Sequence, residues 1–402
     1  MSRDLSPRDE KSLSESIKMA ASAKMPLIVS GAGSKCGIGR PNGYATSVTT
    51  RRMQGISLYE PTELVIGALP GTPLSEIDQL LAAQDQMLPF EPMDYRPILG
   101  GNHEPTIGGI AAGNISGPRR ITAGACRDSL IGIRLVNGRG DVVRSGGRVM
   151  KNVTGLDLVK LNCGAWGTLG VLSEVIFKVL PKPERALSLV LRGLDDAGAI
   201  AALTAALGSP FSVSAAAHLP MGVASDSLTI VRIEGFALSV AYGCDEIARL
   251  WRPYGKADLL EGKTSTAIWT DVRDARWLVD PAESAIWRLS LPSSKAPGVV
   301  AYIRRVLDIR HFYDWGGGLV WLAVNASADA GSKVIRGAMR GLGGHATLLR
   351  ASPEVRSQVD IFEPLPPSLA DLTRRIDRWS RSWCSSVPAA RTAPAPRAAA
   401  RR

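Results

Sequence analysis

The chain has 402 residues, of which 45% are hydrophobic and 21% are charged. This composition is typical of a globular protein and excludes a disordered chain, and the length predicts two or three domains. The net charge is +11, but residues 372–402 contribute +7 of it. The rest of the chain therefore has an ordinary charge, and we expect no nucleic acid as a partner. A basic nucleic-acid-binding protein stays an alternative, because it would explain the net charge of the whole chain.

The first elements are predicted to be a helix, a strand and a glycine-rich loop. Leu13, Ile17 and Ala20 recur at helical spacing, and the apolar residues 26–29 read as a short buried strand. The loop that follows consists of Gly31, Ala32, Gly33, Ser34 and Lys35. Such a loop can present several backbone N–H groups to a phosphate, and a plain turn is the alternative.

A second cluster of small residues is found at 106–117, after a helix predicted to begin with Thr72 as its cap and Pro73 in its first turn. Small side chains let a flat ligand approach the backbone, and a tightly packed helix and turn is the alternative. The residues of this cluster include Thr106, Gly108, Gly109, Asn114, Ser116 and Gly117.

A third glycine cluster precedes the second of two predicted strands, 130–136 and 171–180. It contains Gly167, Gly170 and Val171, and its small residues could approach a ligand, with a simple strand entry as the alternative. Pro181 and Pro183 cannot continue a central strand, so we place the main domain boundary there. Glycine is concentrated before this boundary, whereas eight of the nine tryptophans follow residue 250, which predicts two domains of different construction.

Taken together, the three clusters resemble the FAD-binding domain of the vanillyl-alcohol oxidase and p-cresol methylhydroxylase (PCMH) type. The chain is still more similar to the FAD-binding subunits of bacterial glycolate oxidase, over roughly residues 10–375. The similar segments are 55–77, 86–92, 116–120, 127–158, 167–183, 231–240, 286–292, 314–322 and 343–350.

The resemblance implies an α+β fold with a two-lobed PCMH-type FAD-binding domain in residues 1–184. A mixed α+β cap domain is expected in residues 185–350, and a segment that returns to the FAD-binding domain in 351–376. Residues 377–402 are rich in Arg, Ala and Pro, and we expect this tail to be disordered.

The resemblance also implies FAD as the cofactor. The first cluster would hold its pyrophosphate, the second would surround the ribityl chain and isoalloxazine, and the third would supply backbone contacts. Ala32 departs from the all-glycine loop that is common in the family, which puts some dihedral freedom in doubt.

The implied function is that of an FAD-binding subunit in a glycolate oxidase complex, which oxidises glycolate to glyoxylate with the flavin as hydride acceptor. The implied partners are a second flavoprotein subunit and an iron–sulfur subunit, since the five cysteines here have no iron–sulfur spacing. We expect a cytoplasmic protein without a membrane-inserted segment, associated with the inner membrane only through its partners.

The sequence identifies no catalytic residue, and it offers three candidates. Arg119 and Arg120 are candidates for binding a phosphate or a carboxylate, with a solvated basic turn as the alternative. His345 is the best candidate base, but the histidine and carboxylate cluster of related hydroxy-acid dehydrogenases is not found. A flavin-retaining assembly or electron-transfer subunit without its own substrate site is therefore a second interpretation. No metal site is expected.

Overall fold

The computed structural model describes residues 3–41, 46–147 and 156–380, and it divides them between a glycine-rich N-terminal half and a large antiparallel sheet. The N-terminal strands are β1 Arg3–Leu5, β2 Ile28–Ser30, β3 Thr46–Thr49, β4 Ile56–Glu60, β5 Val65–Ala68, β6 Gln86–Met87, β7 Leu130–Val136, β8 Val142–Gly146, β9 Val171–Lys178 and β10 Leu180–Pro181. The helices among them are α1 Glu10–Ser22, α2 Leu74–Ala82, α3 Arg96–Leu99, α4 Ile107–Gly113, α5 Arg120–Ala123, α6 Cys126–Ser129 and α7 Leu158–Asn162.

These strands form two main sheets, one for each lobe of the N-terminal half. The first is a parallel sheet of three strands in the order β1-β3-β2. The second is an antiparallel sheet of five strands in the order β4-β5-β9-β7-β8, and β10 pairs with β6 beside it. Both strands predicted at 130–136 and 171–180 are thus present.

The C-terminal half contains one sheet of eight antiparallel strands, which we call the cap sheet. Its strands are β11 Arg185–Arg192, β12 Val213–Leu219, β13 Leu228–Gly235, β14 Asp258–Leu260, β15 Ala285–Ser290, β16 Ile309–Asp314, β17 Leu319–Val324 and β18 His345–Arg350, in the order β14-β11-β13-β12-β16-β17-β15-β18. The helices are α8 Asp196–Leu207, α9 Ala237–Leu250, α10 Gly262–Arg273, α11 Ala296–Arg304, α12 Ser332–Met339, α13 Pro353–Gln358 and α14 Pro367–Ser380. Single 3₁₀ turns occupy Pro61–Glu63, Arg276–Leu278, Ser293–Lys295 and Trp315–Gly317.

The two faces of the cap sheet belong to different hydrophobic cores, because successive side chains of a strand point to opposite faces. On β15, Trp287 and Leu289 pack with the helices of the C-terminal half. Ile286 instead belongs to a core that continues into the N-terminal half through residues such as Phe90 and Ile110. The cap sheet therefore covers the N-terminal half with one face, which we call its inner face.

Of two predicted helices, α1 has the buried residues that its spacing predicts, and α2 lacks the predicted cap. The side chain of Asp9 accepts a hydrogen bond from the backbone N–H of Ser12, and α1 then buries Leu13 and Ile17 as its spacing predicts. The cap assigned to Thr72 was wrong. Its hydroxyl accepts the N–H of Gly55 and donates to the carbonyl of Leu69, so it is not available to α2, which begins at Leu74.

The segment after the cap sheet lies against the first lobe. Arg356 donates hydrogen bonds from Nη1 to the carbonyls of Gly37 (2.8 Å) and Gly39 (2.9 Å). Arg40 forms an ion pair with Asp360 at 2.9 Å. Helix α14 extends through Ser380, past the predicted start of the tail at 377, and the disorder expected for 381–402 falls outside the described residues. Among the described residues, no helix is long and apolar enough to span a membrane.

Candidate functional site

A cavity of about 390 Å³ opens where the three glycine clusters meet. Its walls are the loop after β2, the first turn of α4 and the entry to β9, and we call it the glycine-lined cavity. The predicted site residues that line it are Gly31, Ala32, Gly33, Ser34, Lys35, Thr106, Gly108, Gly109, Gly167, Gly170 and Val171. Segments far apart in the sequence thus form one concave surface.

The first loop is shaped by close contact with the second cluster. A Cβ on Gly31 would lie 2.3 Å from Oγ1 of Thr106, so this position has no room for a side chain. Gly33 has a φ of 88°, in the left-handed region that favours glycine. Ala32 is not among the residues with a positive φ, so the alanine that departs from the family pattern is accommodated without backbone strain.

The second cluster forms a tightly packed helix, which was the alternative interpretation, and this helix also lines the cavity. Gly108 packs on Pro70, where a Cβ would lie 2.5 Å from the proline Cβ. The next residue, Gly109, faces the cavity: a Cβ there would meet only Oγ1 of Thr106 at 3.5 Å and Nζ of Lys35 at 3.6 Å. Two adjacent glycines thus serve different purposes, one for packing and one for access.

The cavity wall is positively charged. Lys35, Arg40 and Arg356 line it, and no aspartate or glutamate among the residues that the structure describes does. Burial lowers the pKa of Lys35 to about 8, although the charges of Asp94 and Cys36 oppose this shift. Its ammonium lies 3.3 Å from Oγ of Ser34, and no carboxylate of the described residues lies within ion-pair distance of it. Such a wall suits an anionic ligand.

Three predicted residues lie outside the cavity lining. Asn114 ends α4 in the left-handed conformation and accepts the N–H of Arg127. Ser116 accepts the N–H of Cys126, and Gly117 packs so closely on Glu91 that a Cβ would lie 2.3 Å from its carbonyl oxygen. These contacts fold the segment that links α4 to α5.

The sequence reading missed two of the three cations. Arg40 follows the first loop within a run of glycines, and this proximity was the only signal for it. Arg356 is more than 300 positions away from the loop whose carbonyls it binds, and nothing in the local sequence marks it.

Arg119 is part of a buried ion-pair network between the two halves of the molecule. Its guanidinium contacts Glu91 at 3.4 Å and Glu234 at 2.6 Å, and Arg232 contacts Glu91 at 2.9 Å. Although burial alone would raise the pKa of Glu91, the charges of Arg232 and Arg119 lower it to about 2. Arg119 is thus ion-paired with two protein carboxylates.

Arg120 has a different environment. Its guanidinium lies 4.5 Å from the ring centre of Trp315, and that of Arg288 on β15 lies 5.0 Å from the same ring. His345 begins β18, opposite Ser290 in the register with β15. Burial lowers the pKa of His345 first, and the charges of Arg288 and Arg120 lower it further. The structure therefore brings two candidates, Arg120 and His345, to the same part of the cap sheet.

The other described histidines of the cap sheet, His218 and His311, contact Asp196. Nε2 of His311 and the hydroxyl of Tyr313 lie 3.1 and 2.9 Å from Oδ2 of Asp196, and Nε2 of His218 lies 3.5 Å from Oδ1. Both histidines are buried on the helix-covered side. No group of three or more His, Cys, Asp and Glu residues within 3–41, 46–147 and 156–380 is arranged to hold a metal ion.

The chain is similar to a family profile and to several known proteins. A family profile described as "FAD binding domain" matches residues 2–146. Glycolate oxidase subunit GlcE of Escherichia coli is 36% identical over 345 residues, which cover 85% of this chain and 87% of that protein. Glycolate oxidase subunit GlcD of Bacillus subtilis is 30% identical over 45% of this chain, and D-lactate dehydrogenase of Anaerostipes hadrus is 30% identical over the same share; 37% of each of those proteins is covered.

Solved structures share the fold at low sequence identity. A p-cresol methylhydroxylase with substrate bound superimposes with a TM-score of 0.69 at 13% identity, covering 94% of this chain and 86% of that one. An alkyldihydroxyacetonephosphate synthase gives a TM-score of 0.69 at 16% identity, covering 95% and 76%. The predicted fold class, a two-lobed PCMH-type FAD-binding domain followed by an α+β cap, is confirmed.

Proposed function

The chain belongs to the family of glycolate oxidase subunit GlcE and binds FAD, and we propose that it oxidises glycolate to glyoxylate within a multi-subunit glycolate oxidase. The observation that carries the proposal is the glycine-lined cavity, whose wall is cationic, in a chain that is similar to GlcE over most of its length. The proposed partners are a second flavoprotein subunit, similar to GlcD, and an iron–sulfur subunit.

The residues of the cavity fit the dinucleotide. Lys35 supplies a cation without a protein carboxylate, Arg356 adds a second charge and Arg40 a third that is paired with Asp360, which suits a pyrophosphate. Gly109 leaves the backbone of α4 open to a close approach. When bound, FAD supplies the acceptor for the hydride that leaves C2 of the hydroxy acid.

The chain's own residues have the remaining tasks of holding the substrate and taking its hydroxyl proton. We assign the proton to His345, because burial and the neighbouring guanidinium groups lower its pKa and keep the imidazole neutral at neutral pH. A neutral imidazole has a lone pair to accept a proton. Arg119 has no such task, since Glu91 and Glu234 already neutralise it.

The test is anaerobic addition of glycolate to the purified chain loaded with FAD. We expect the visible absorbance band of the oxidised flavin to bleach and glyoxylate to form in an equal amount. His345→Gln should slow this reduction while the FAD content stays unchanged. A chain that binds FAD but is not bleached by glycolate, alone or with its copurifying partners, contradicts the proposal.

A second candidate function is a flavin-holding subunit without substrate chemistry of its own. It is favoured by the position of the histidines: His218 and His311 are buried against Asp196, and His345 is partly exposed at the start of a strand on the edge of the cap sheet. This function predicts a flavin that is reduced only when the partner subunits are present.

A further inference from the structure

The inner face of the cap sheet holds two arginines around one tryptophan. Arg288 shares the inner face of β15 with Ile286, since the two are separated by one residue. Arg120 comes from the N-terminal half, at the start of α5. Their guanidinium carbons lie 5.0 and 4.5 Å from the ring centre of Trp315, so two positive charges from different domains meet at one indole.

Trp315 is held firmly in this position. Its φ is 53°, a left-handed conformation that bulky residues rarely adopt, and Gly316 and Gly317 continue the turn with φ values of 61° and 96°. The indole Nε1 donates to the carbonyl of Gly117 at 3.0 Å. The turn thus fixes the ring between the two halves of the molecule, where strained backbone often marks a functional site.

The two guanidinium groups have no carboxylate partner. Among the described residues, no Asp or Glu lies within 4.0 Å of Arg120 or Arg288, whereas Arg119 and Arg232 a short distance away each contact two carboxylates. Burial lowers the pKa of Arg120, and the charge of Arg288 lowers it further, which shows that the two repel each other.

Two carboxylates have a charge effect on the pair, and both are tied to the backbone. Asp128, which affects Arg120, accepts the N–H of Ala125. The other is Asp314, which affects Arg288. Its Oδ1 accepts the N–H of Trp315 at 2.7 Å, and burial raises the pKa of its carboxyl to about 7. Asp314 therefore carries only part of a charge at neutral pH and does not compensate two arginines. Paired, partly buried cations without an ion-paired carboxylate are expected to bind an anion.

The same chain segment links this pair to the glycine-lined cavity. Gly109 on α4 faces the cavity, and the chain then passes through Gly117, which binds Trp315, to Arg120. His345 lies on the strand beside β15, near enough for both guanidinium charges to lower its pKa. The pair thus lies close to the candidate base, and a short stretch of chain connects it to the cavity wall.

We propose that Arg120 and Arg288 form a carboxylate-binding site for the small 2-hydroxy acid, with Trp315 as its floor. This inference rests on the proposed function for the class of the ligand. Each guanidinium presents N–H groups in a fixed fork that matches a carboxylate, so the pair both neutralises and orients it. Because one arginine comes from each half, the site is complete only when the two halves are docked.

The test uses the full chain loaded with FAD, and titration calorimetry with oxalate, a dicarboxylate that the flavin does not oxidise. Arg120→Gln and Arg288→Gln should each weaken oxalate binding about tenfold or more. Arg192→Gln, which removes a half-exposed arginine on β11, is the matched control and should leave binding unchanged. Oxalate should also raise the thermal midpoint of the wild type more than that of either variant. Equal affinity in wild type and both variants overturns the proposal.

A comparison within the wild type decides the matter even if the variants lose their FAD. Glycolate should bind at least about tenfold more tightly than glycolamide, which has the same shape without the charge. Equal binding of the two overturns the site. A chain that binds oxalate through this pair but is not reduced by glycolate keeps the site and refutes the oxidase function. If glycolate reduces the flavin but Arg288→Gln binds oxalate as tightly as the wild type, the oxidase function is kept and the carboxylate site is refuted.

Discussion

The glycine-lined cavity and the cap sheet are built in opposite ways. The cavity wall consists mostly of backbone and small side chains, and its three charged residues are all cations. The cap sheet carries large side chains and balanced charges: Glu91 of the N-terminal half lies between Arg119 and Arg232, and Asp196 holds two histidines. Among the described residues, Lys35 and Arg356 of the cavity wall have no ion-paired carboxylate, so this region suits a ligand that supplies negative charge, whereas the charges around the cap sheet are neutralised by the protein.

This difference separates residues that bind a ligand from residues that stabilise the fold. A cation without a protein partner gains stability when a ligand arrives, whereas an ion pair inside the protein stabilises the fold before any ligand is present. Substitutions in the cap-sheet networks should therefore change the free energy of unfolding, and substitutions in the cavity wall should change FAD affinity. The Arg120–Arg288 pair at the inner face of the cap sheet is an exception, because its charges, like those of Lys35 and Arg356 in the cavity wall, are not paired with a carboxylate among the described residues.

The largest effect is expected from Glu91→Gln. It removes one of the two carboxylates that the buried guanidinium groups of Arg119 and Arg232 share, so the free energy of unfolding should fall by about 3–5 kcal/mol in urea denaturation. Asp258→Asn is the control: its pair with Arg192 is half exposed on both sides and should contribute about 1 kcal/mol or less. Equal losses in the two variants contradict the assignment.

The pH dependence of the Glu91 effect follows from its lowered pKa. The contribution of the carboxylate is fully present above its ordinary pKa of 4.5 and is lost as the pH falls through the folded value of about 2. The stability difference between wild type and Glu91→Gln should therefore shrink between these two values. A difference that stays constant down to pH 2 refutes this explanation.

A smaller effect is expected from Asp196→Asn. Asp196 bonds residues of β12 and β16, which pair through the single register partners His218 and Tyr313, so it joins two halves of the cap sheet. Losing charge-assisted hydrogen bonds should cost about 1.5–3 kcal/mol of unfolding free energy, measured by denaturation. FAD content should stay at the wild-type level, and a loss of FAD with unchanged stability contradicts the prediction.

Much of the cavity was predictable because its signal is local. Gly31 to Lys35 follow a strand directly, and Gly108 with Gly109 stand in an uninterrupted run of small residues. Glycine clusters of this kind are restricted by the backbone they must form, and this restriction is visible in a single sequence. Asn114, Ser116 and Gly117 belong to the same run but contact protein, since small residues also serve close packing.

The charged networks were not predictable because their partners are far apart in the chain. Arg119 and Arg120 are adjacent and have the same chemistry, yet one is neutralised by Glu91 and Glu234 and the other meets Arg288. Which of them keeps a free charge depends on which way each side chain points after the cap sheet docks. No local pattern carries that information, so both had to stand as equal candidates.

The cavity wall itself is tested by Lys35→Met. Removing a partly buried cation next to the proposed pyrophosphate should weaken FAD binding about 10–100-fold, with little change in stability without FAD. Because the pKa of Lys35 is lowered to about 8, wild-type FAD affinity should fall as the pH rises through 8, and the variant should lack this dependence. Lys11→Met, on the exposed side of α1, is the control. Fluorescence titration with FAD measures both effects.

The smallest effects, and the sharpest separation of packing from binding, should come from two adjacent glycines on α4. Gly108→Ala places a methyl group 2.5 Å from Pro70 and should lower the free energy of unfolding by about 1 kcal/mol or somewhat more. Gly109→Ala meets its neighbours only at 3.5 and 3.6 Å, and alanine favours a helix, so the FAD-free protein should be as stable as wild type. Its methyl group points into the cavity, however, so FAD should bind more weakly. If Gly109→Ala instead destabilises the FAD-free chain and leaves FAD affinity unchanged, then this turn of α4 is a packing element, and the three glycine clusters do not share one ligand.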